Sequence, residues 1–417
     1  MKRLDVYLST HAIPGSGSRD ESERGRLVGT LAEVERRIYF EYDGGFLEDP
    51  LWLSPFKLPP EPGLHEHRDL AFGPLFGLFD DSLPDGWGLL LMDRHFRRQG
   101  IALETVSPLD RLAYLGTRTM GALTYHPPAV TEAVDDSVFD LHDLAREALL
   151  VLEGKSEDVL PQLRKAGGSP GGARPKVLVG LRGESMVSGE DTLPEGHTGW
   201  MVKFHSGRDA QDEGRIEYAY SEMARAAGIE MPPTRLFVTR QGEAFFGVER
   251  FDRDGNRRKH VHTFGNLIHA NFRVPSCDYE MWMRVTQVLT KNAVDVSAAF
   301  RRMVFNILAH NRDDHVKNFA FMLSPEGDWR LAPAYDLTFS HGPGGEHSMT
   351  VAGEGRCPGL DRIHQIADAA EIPAQQARGI IEEVTAAVGD WPGFGDAAGI
   401  SRERSRQILR ALPQFAR

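Results

Sequence analysis

NRDDHVKNFAFMLSPEGDWRLAPAYDL, residues 311–337, combines a cluster of charged and amide side chains with two short apolar runs. The runs FAFML and WRLAP are separated by SPEGD, which is typical of a tight turn, so they predict a hairpin of two strands. A hairpin returns the chain to the place where it started. We therefore expect Asp336, which follows the second run, to lie beside the loop that precedes the first run.

That loop has the residue types and the spacing of a phosphoryl-transfer site. Such a site needs a carboxylate that orients or deprotonates a hydroxyl, ligands for Mg²⁺, and a cation for the phosphates. Asp313 and Asn318 form an Asp-x4-Asn pattern that follows Arg312, as in the H-R-D-x4-N loop of protein kinases. If Asp336 lies next to Asn318, the two supply the oxygen ligands that Mg²⁺ prefers.

Other interpretations of this loop remain open from the sequence. The Asp-x4-Asn pattern alone is short, and it could be a helix end with solvated charges and a capping Asn318. A metal-dependent hydrolase could use Asp313, Asp314 and His315 to cleave a phosphoester without ATP. Asp314 and Lys317 could also pair only with each other or with solvent.

Two further segments could contact phosphates. Lys203 lies within the apolar segment WMVKFH, where its charge would need an anion, although an edge-strand lysine that faces water is equally compatible. The glycine-rich segment AGGSPGGARPK, residues 166–176, could wrap phosphates with its backbone N–H groups. Because Val177 follows Lys176 in place of Ser or Thr, the segment is not a Walker A motif, and a surface loop is the alternative.

Composition bounds the class of protein. The 417 residues allow two or three domains, and the formal net charge of −12 argues against binding a polyanion through overall charge. Two cysteines, Cys277 and Cys357, are too few for a disulfide framework or a cysteine-rich zinc site and fit a reducing cytosol. The start MKRLDVYLST lacks the apolar run of a signal peptide, and no segment approaches the roughly 20 apolar residues of a membrane helix. We expect a soluble, cytoplasmic protein.

The chain is predicted to be β-rich at its start and helical at its end. LDVYLS and RIYFEYD place apolar residues between turn sequences as strands do, and DSLPDGWGLLLMDRHFRRQG changes to helical periodicity after Gly86. After about residue 256 helical patterns predominate. In VSAAFRRMVFNILAHN the apolar residues recur at helical spacing, and Ser297 or Asp295 is expected to cap the helix.

Together these segments resemble the HipA family, whose members are bacterial serine/threonine kinases that act as toxins beside a DNA-binding antitoxin. MVKF, VERFDR, NRDDHVKNF and APAYDL occur in the order of the family's nucleotide and metal motifs. SPGGARPK resembles its glycine-rich loop, and VYLS, GRLVGTLAE, IYFEYD and FGLFDDSLPDGWG resemble its first subdomain. The resemblance covers nearly the whole chain.

Pattern and resemblance together predict an α+β, two-lobed, protein-kinase-like fold with a β-rich N-terminal subdomain and a mainly helical C-terminal lobe. The expected divisions are 1–130 for the N-terminal subdomain, 131–255 for a small lobe with the glycine-rich loop and a hinge, and 256–417 for the C-terminal lobe.

The resemblance also implies roles for individual residues. Asp313 would be the catalytic base, and Asn318 and Asp336 would hold Mg²⁺. Lys203 would contact the α- and β-phosphates of ATP. Ser169 resembles the family's autophosphorylated serine, and a phosphate there could expel the loop and switch the kinase off. Other contacts to the nucleotide would come from the hinge Glu249-Arg250-Phe251, from His315 and Tyr335, and from Gly171, Gly172 and Ala173.

The implied reaction is transfer of the ATP γ-phosphoryl group to a serine or threonine of a protein, for which the resemblance suggests an aminoacyl-tRNA synthetase. The implied partner is a HipB-like antitoxin, through which any contact with DNA would be indirect. The alternative is a catalytically weak, HipA-like co-repressor that acts with the antitoxin. The presence of Lys203, Asp313, Asn318 and Asp336 favours the enzyme.

Overall fold

The computed structural model describes residues 2–10, 24–129, 141–155, 171–189, 192–207 and 211–413. Ser169, the predicted phosphorylation site, lies outside these ranges, as do residues 166–168 and 170 of the glycine-rich segment.

The N-terminal part is built on a five-stranded antiparallel sheet with the order β4–β3–β2–β1–β5. In β3 the side chains of Ile38, Phe40 and Tyr42 are buried while those of Arg37 and Glu41 are exposed, which is the alternation that gives a strand one apolar face. The strands are β1 Lys2–Leu8, β2 Arg26–Val34, β3 Arg37–Tyr42, β4 Leu64–Glu66 and β5 Leu123–His126, and the helices are α1 Gly44–Glu48, α2 Gly77–Asp80, α3 Gly86–Arg98 and α4 Pro108–Leu115.

A second five-stranded sheet, of order β7–β6–β8–β10–β9, lies in the part of the chain predicted to be the small lobe, and this part keeps that name below. Its strands are β6 Lys176–Arg182, β7 Ser185–Ser188, β8 Thr198–Lys203, β9 Thr234–Val238 and β10 Ala244–Glu249, with helices α5 Leu141–Leu152 and α6 Glu213–Ala226. Lys203 ends β8, which lies between β6 and β10, so the alternative of an edge-strand lysine is wrong.

The C-terminal part is mainly helical. Its helices are α7 Phe264–Ile268, α8 Tyr279–Thr290, α9 Ala293–Leu308, α10 Leu360–Ala369, α11 Ala374–Gly389, α12 Trp391–Ala397 and α13 Arg402–Ala411. Short strands β11 Arg253–Asp254 and β12 Arg257–Arg258 form one ribbon, and β13 His260–Thr263, β14 Ala320–Leu323 and β15 Trp329–Leu331 form a three-stranded sheet.

Helix α9 begins earlier than its apolar pattern indicated. Asn292 caps it by accepting a hydrogen bond from the Val294 N–H at 3.0 Å, so the expected caps Ser297 and Asp295 are wrong. The Ser297 hydroxyl instead donates to the Ala293 carbonyl at 2.9 Å, inside the helix.

Two hydrophobic clusters join parts that are distant in sequence. The largest contains Phe40 and Phe79 of the N-terminal part together with Trp282 and Phe305 of the C-terminal helices. A second cluster packs Trp87 of α3 with residues on the strands of the small lobe. Packing therefore crosses both boundaries of the expected three-part division, which itself stays a prediction.

The observed order of elements confirms the α+β class, with a β-rich N-terminal region and a helical C-terminal region. None of the helices in the described parts of the chain has both the length and the hydropathy of a membrane-spanning segment.

Candidate active site

The predicted hairpin is confirmed, and it brings Asp336 to Lys203. Strands β14 and β15 pair antiparallel, with Phe321 opposite Leu331. Asp336 has φ of +57°, a left-handed conformation that non-glycine residues rarely adopt. Its carboxylate accepts a hydrogen bond from the Lys203 ammonium group. Aspartate and asparagine are the non-glycine residues that adopt this conformation most readily.

Lys203 lies between two carboxylates. Its Nζ donates to Glu217 Oε1 at 2.6 Å and also to Asp336, and Lys203 and Glu217 are 6% and 2% exposed. Burial by itself lowers the pKa of Lys203, but the charges of Asp336 and Glu217 outweigh burial and raise this pKa above its usual value. The ammonium is therefore firmly protonated and fixed in position.

Glu217 was not among the residues predicted from the sequence. It lies on α6, on the same face as the buried Tyr220 and Ala224. A carboxylate on the buried face of a helix needs a cation, and this pattern could have identified it. In protein kinases, a strand lysine paired with a helix glutamate and a metal-binding aspartate must all be in place for activity.

Two more cationic side chains lie next to Lys203 and Glu217. Lys176 is 2% exposed and lies directly opposite Lys203 in the β6–β8 register, and burial and the charge of Lys203 lower its pKa to about 8. Arg174 donates from Nη1 to Glu217 Oε2 at 2.8 Å. Its Nε lies 3.5 Å from Glu213 Oε2, and its buried Nη2 has no hydrogen-bond partner among the described residues. A buried N–H donor without an acceptor, next to clustered cations, suits an anion such as phosphate.

Asp313 and Asn318 lie together in the loop that follows α9. The Asn318 Nδ2 donates to the Asp313 backbone carbonyl at 2.7 Å, so the Asn318 Oδ1 is left as the oxygen that could bind a metal. The Asp313 side chain remains accessible to solvent. Removal of part of its hydration raises the pKa of Asp313, and the negative charges of Asp336 and Asp314 raise it further, while His315 opposes the shift.

Asp336 shows the opposite behaviour. Burial alone would raise its pKa, but the ammonium groups of Lys203 and Lys176 lower this pKa well below the usual value. The pKa values of these two neighbouring carboxyl groups therefore shift in opposite directions. Asp313 is the better proton acceptor, and Asp336 stays ionised. Such a separation of pKa values is a mark of acid–base sites.

Asp314 points away from this site. Its carboxylate accepts hydrogen bonds from the Tyr279 hydroxyl at 2.7 Å, from His347 Nδ1 at 2.8 Å and from the Ser348 N–H at 2.7 Å. Asp314 is 1% exposed. The expectation that it pairs with Lys317 or with solvent is wrong, because the fold uses it to fix the loop from the inside.

Lys317 also contacts another partner. Its Nζ lies 3.1 Å from Asp80 Oδ2 in the N-terminal part, and its carbonyl accepts a hydrogen bond from the Tyr335 hydroxyl at 2.7 Å. His315 accepts from the Lys317 N–H at 3.3 Å, and its ring lies 5.5 Å from that of Phe272. Whether His315 and Tyr335 contact a nucleotide stays a prediction.

The hinge residues have part of their backbone already bonded. The Glu249 N–H donates to the Pro233 carbonyl at 2.9 Å, and the Arg250 N–H donates to the Gly199 carbonyl at 2.8 Å. These two donors are therefore engaged within the protein. Any backbone contact with adenine would have to use other groups of the hinge.

The side chains of the hinge face different surroundings. Arg250 is buried and pairs with the buried Asp252 at 2.8 Å, so its side chain serves the fold. The Phe251 ring stacks on the Tyr335 ring with centroids 5.6 Å apart. The sequence assigned both aromatic residues to the nucleotide, and the structure brings them together.

The glycine-rich loop is described from Gly171 onward. The Gly171 carbonyl accepts from the Lys176 ammonium group, and the Gly172 N–H donates to the Asp85 carboxylate. Ala173 follows directly, with its Cα near Gly86. Hydrogen bonds with Lys176 and Asp85 therefore hold the described part of the loop.

The donor set fits Mg²⁺. Mg²⁺ typically binds one or two protein carboxylates and takes its other ligands from phosphates and water. Asp336 supplies an ionised carboxylate and Asn318 an amide oxygen. Within the described residues, no group of three His, Cys, Asp or Glu side chains could hold a metal by itself.

Two protein-family models match the chain. Residues 168–391 match the family described as HipA-like C-terminal domain, and residues 23–126 match the HipA N-terminal domain. A putative kinase, Y4dM, from Sinorhizobium fredii (strain NBRC 101917 / NGR234) is 29% identical over 162 residues, which are 35% of this chain and 39% of that relative. The match to this curated relative therefore covers less than half of its length.

Among solved structures, a chain in the Shewanella oneidensis MR-1 complex of HipA, HipB and operator DNA superposes with a TM-score of 0.67 at 16% identity. The superposition covers 99% of this chain and 92% of that one, so the two share a fold over nearly their whole lengths. The match to the HipA-like C-terminal domain alone spans more than half of the chain. The chain belongs to the HipA family.

Proposed function

We propose that the chain is an ATP- and Mg²⁺-dependent serine/threonine protein kinase of the HipA type. The observation that carries the proposal is the position of Lys203 between Glu217 and Asp336. A phosphate-binding lysine, its orienting glutamate and a metal-binding aspartate are the parts that kinases must hold together. The name of the relative Y4dM, a putative kinase, is consistent with this proposal.

Each group has a role that follows from its surroundings. Asp313, with its raised pKa, accepts the proton of the substrate hydroxyl. Asn318 and Asp336 would hold Mg²⁺, which would supply positive charge to offset the charge of the nucleotide phosphates. Lys203 and Lys176 bind phosphate oxygens. Arg174 contacts the phosphates, and Phe251 and Tyr335 pack against the adenine.

Transfer of labelled γ-phosphate from ATP to proteins of a cell lysate tests the proposal. We expect labelling by the wild-type protein and a loss on the order of 10²-fold or more in Asp313→Ala, because a positioned base contributes that much to such reactions. Asp313 is exposed, so the melting temperature of the variant should stay nearly unchanged. Labelling that is equal in both preparations would refute the assignment and would indicate a contaminating kinase.

The partner and the substrate are part of the proposal. The similar Shewanella chain was solved with HipB and operator DNA, which supports a HipB-like antitoxin as a partner here, with DNA contacted through that antitoxin. The family resemblance suggests an aminoacyl-tRNA synthetase as the protein substrate. Identification of the labelled lysate band by mass spectrometry tests the substrate, and a band unrelated to tRNA charging would refute it.

Self-limitation by phosphorylation of Ser169 is also proposed. Mass spectrometry after incubation with ATP should find phosphate on Ser169, and Ser169→Ala should stay active for longer. An active preparation without that phosphate would remove this switch.

A hydrolase that uses the Asp313-Asp314-His315 run is disfavoured. Asp314 would have to face a metal beside Asp313, but its oxygens accept hydrogen bonds from Tyr279, His347 and Ser348 in the interior.

A further inference from the structure

A segment of the N-terminal part holds the glycine-rich loop. The Gly172 N–H donates to the Asp85 carboxylate, and the Gly172 carbonyl accepts from the Trp87 N–H at 3.1 Å. The Trp87 indole Nε1 donates to the Lys176 carbonyl at 3.1 Å. Both ends of the described loop are therefore bonded to residues that lie about 90 positions earlier in the chain, as the separations of 87 and 89 positions show.

The two backbones approach so closely that a side chain would not fit between them. Gly86 has φ of +48°, and a Cβ there would lie 2.6 Å from the Gly172 carbonyl oxygen and 2.7 Å from the Ala173 Cα. Glycine is needed at this position both for the conformation and for the space. Trp87 is 1% exposed in the hydrophobic cluster of the small lobe, so the contact is anchored in the interior.

Asp85 is the N-cap residue of α3, yet it does not cap that helix. Aspartate at this position usually accepts a hydrogen bond from the second or third N–H of its own helix. In this helix no such bond forms, and the carboxylate instead accepts the Gly172 N–H. The usual local interaction is replaced by one that fixes a loop of the candidate active site.

The same N-terminal segment reaches the catalytic loop. Asp80, at the end of α2, lies 3.1 Å from the Lys317 ammonium group, and Lys317 precedes Asn318 directly. Residues 80–87 thus contact the loop proposed to bind phosphates and the loop proposed to carry out phosphoryl transfer. One short segment therefore bonds to both loops.

We propose that Asp85 is a positioning residue that sets the glycine-rich loop for ATP, so that the N-terminal part completes the nucleotide site. This inference rests on the proposed kinase function. Asp85 acts through the Gly172 backbone and does not itself touch the nucleotide. The opposite role would be competition, in which the carboxylate occupies the N–H that a phosphate needs, and the test separates the two.

The first arm compares Asp85→Ala with Asp85→Asn in ATP kinetics. Alanine removes the acceptor, while asparagine keeps an oxygen that accepts the Gly172 N–H without a charge. We expect Asp85→Ala to raise the KM for ATP on the order of tenfold with a smaller change in kcat, as for loss of one charge-assisted hydrogen bond. Asp85→Asn should recover most of this loss. Lower KM values in both variants would show competition and would overturn the proposal.

The second arm does not depend on activity. Hydrogen exchange of the amides in 171–176 is measured without nucleotide, and we expect faster exchange in Asp85→Ala and nearly wild-type exchange in Asp85→Asn. The matched control is Asp93→Asn on the same helix, which pairs with Arg111 at 2.7 Å and should change neither readout. Unchanged exchange in Asp85→Ala would overturn the positioning role. If the wild-type protein transfers no phosphate, the proposed function fails, and the exchange result still decides whether Asp85 fixes the loop.

Discussion

Lys203 and Asp336 lie 133 positions apart and form an ion pair at the centre of the candidate site. The first ends a central strand of the small lobe, and the second follows a hairpin of the C-terminal part. Their contact therefore joins the two lobes through groups that are both proposed to bind the nucleotide complex. Because the Lys203 charge is also balanced by Glu217, its removal should affect stability as well as binding.

We expect Lys203→Met to lower the free energy of unfolding by about 3 kcal/mol, because it leaves the buried Glu217 without one of its cations. Urea unfolding measures this change. A double variant with Glu217→Gln should recover part of the loss, since the uncompensated charge is then gone. The control is Lys2→Met, whose pair with Asp110 is exposed and should change stability by less than about 1 kcal/mol. Equal losses at both lysines would contradict the prediction.

The sequence predicted those parts of the site that follow from local patterns and chain topology. The turn SPEGD between two apolar runs was enough to return Asp336 to the Asp313 loop. The sequence could not predict contacts that depend on packing between distant segments. Nothing local to Asp85 indicates that it bonds to Gly172 in place of capping its own helix, and nothing near Asp314 shows that it faces Tyr279. Contacts between segments that are far apart in the sequence depend on the tertiary structure. A local sequence pattern does not reveal that structure.

The pKa of about 8 at Lys176 predicts a pH dependence of ATP binding. Burial lowers this pKa from its usual value, so in the nucleotide-free protein the ammonium loses its proton as the pH rises through about 8. A bound phosphate favours the charged form. The affinity for ATP should therefore be steady below pH 8 and should fall above it by up to about tenfold per pH unit.

Titration calorimetry between pH 7.5 and 9.5 is the measurement. Lys176→Arg should show little change with pH over this window, because arginine stays protonated there. Lys203 has a raised pKa and remains charged throughout, so it does not contribute to the slope. A wild-type protein whose affinity is constant across the window would refute the role of Lys176.

Asp314→Ala should affect the protein very differently from Asp313→Ala, although the two residues are neighbours. Loss of the buried Asp314 carboxylate leaves the Tyr279 hydroxyl, His347 and the Ser348 N–H without their acceptor. We expect a loss of about 3 kcal/mol in the free energy of unfolding, measured in urea. Asp313→Ala should remain within about 0.5 kcal/mol of wild type, since it changes an exposed side chain. A stable Asp314→Ala protein would show that the internal network does not hold the loop.

Asp336→Asn should weaken the Mg²⁺ dependence of ATP binding. Asparagine adopts the left-handed backbone that Asp336 requires, so the exchange removes the charge without straining the chain. In the wild-type protein, Mg²⁺ should tighten ATP binding relative to the same titration with a chelator. In the variant this difference should shrink on the order of tenfold or more, because an amide is a weaker ligand than an ionised carboxylate. Asp328→Asn, in the exposed turn of the same hairpin, should keep the wild-type difference. A variant that responds to Mg²⁺ as the wild type does would mean that the metal is held elsewhere, and Asp336 would then serve only to fix the Lys203 ammonium group.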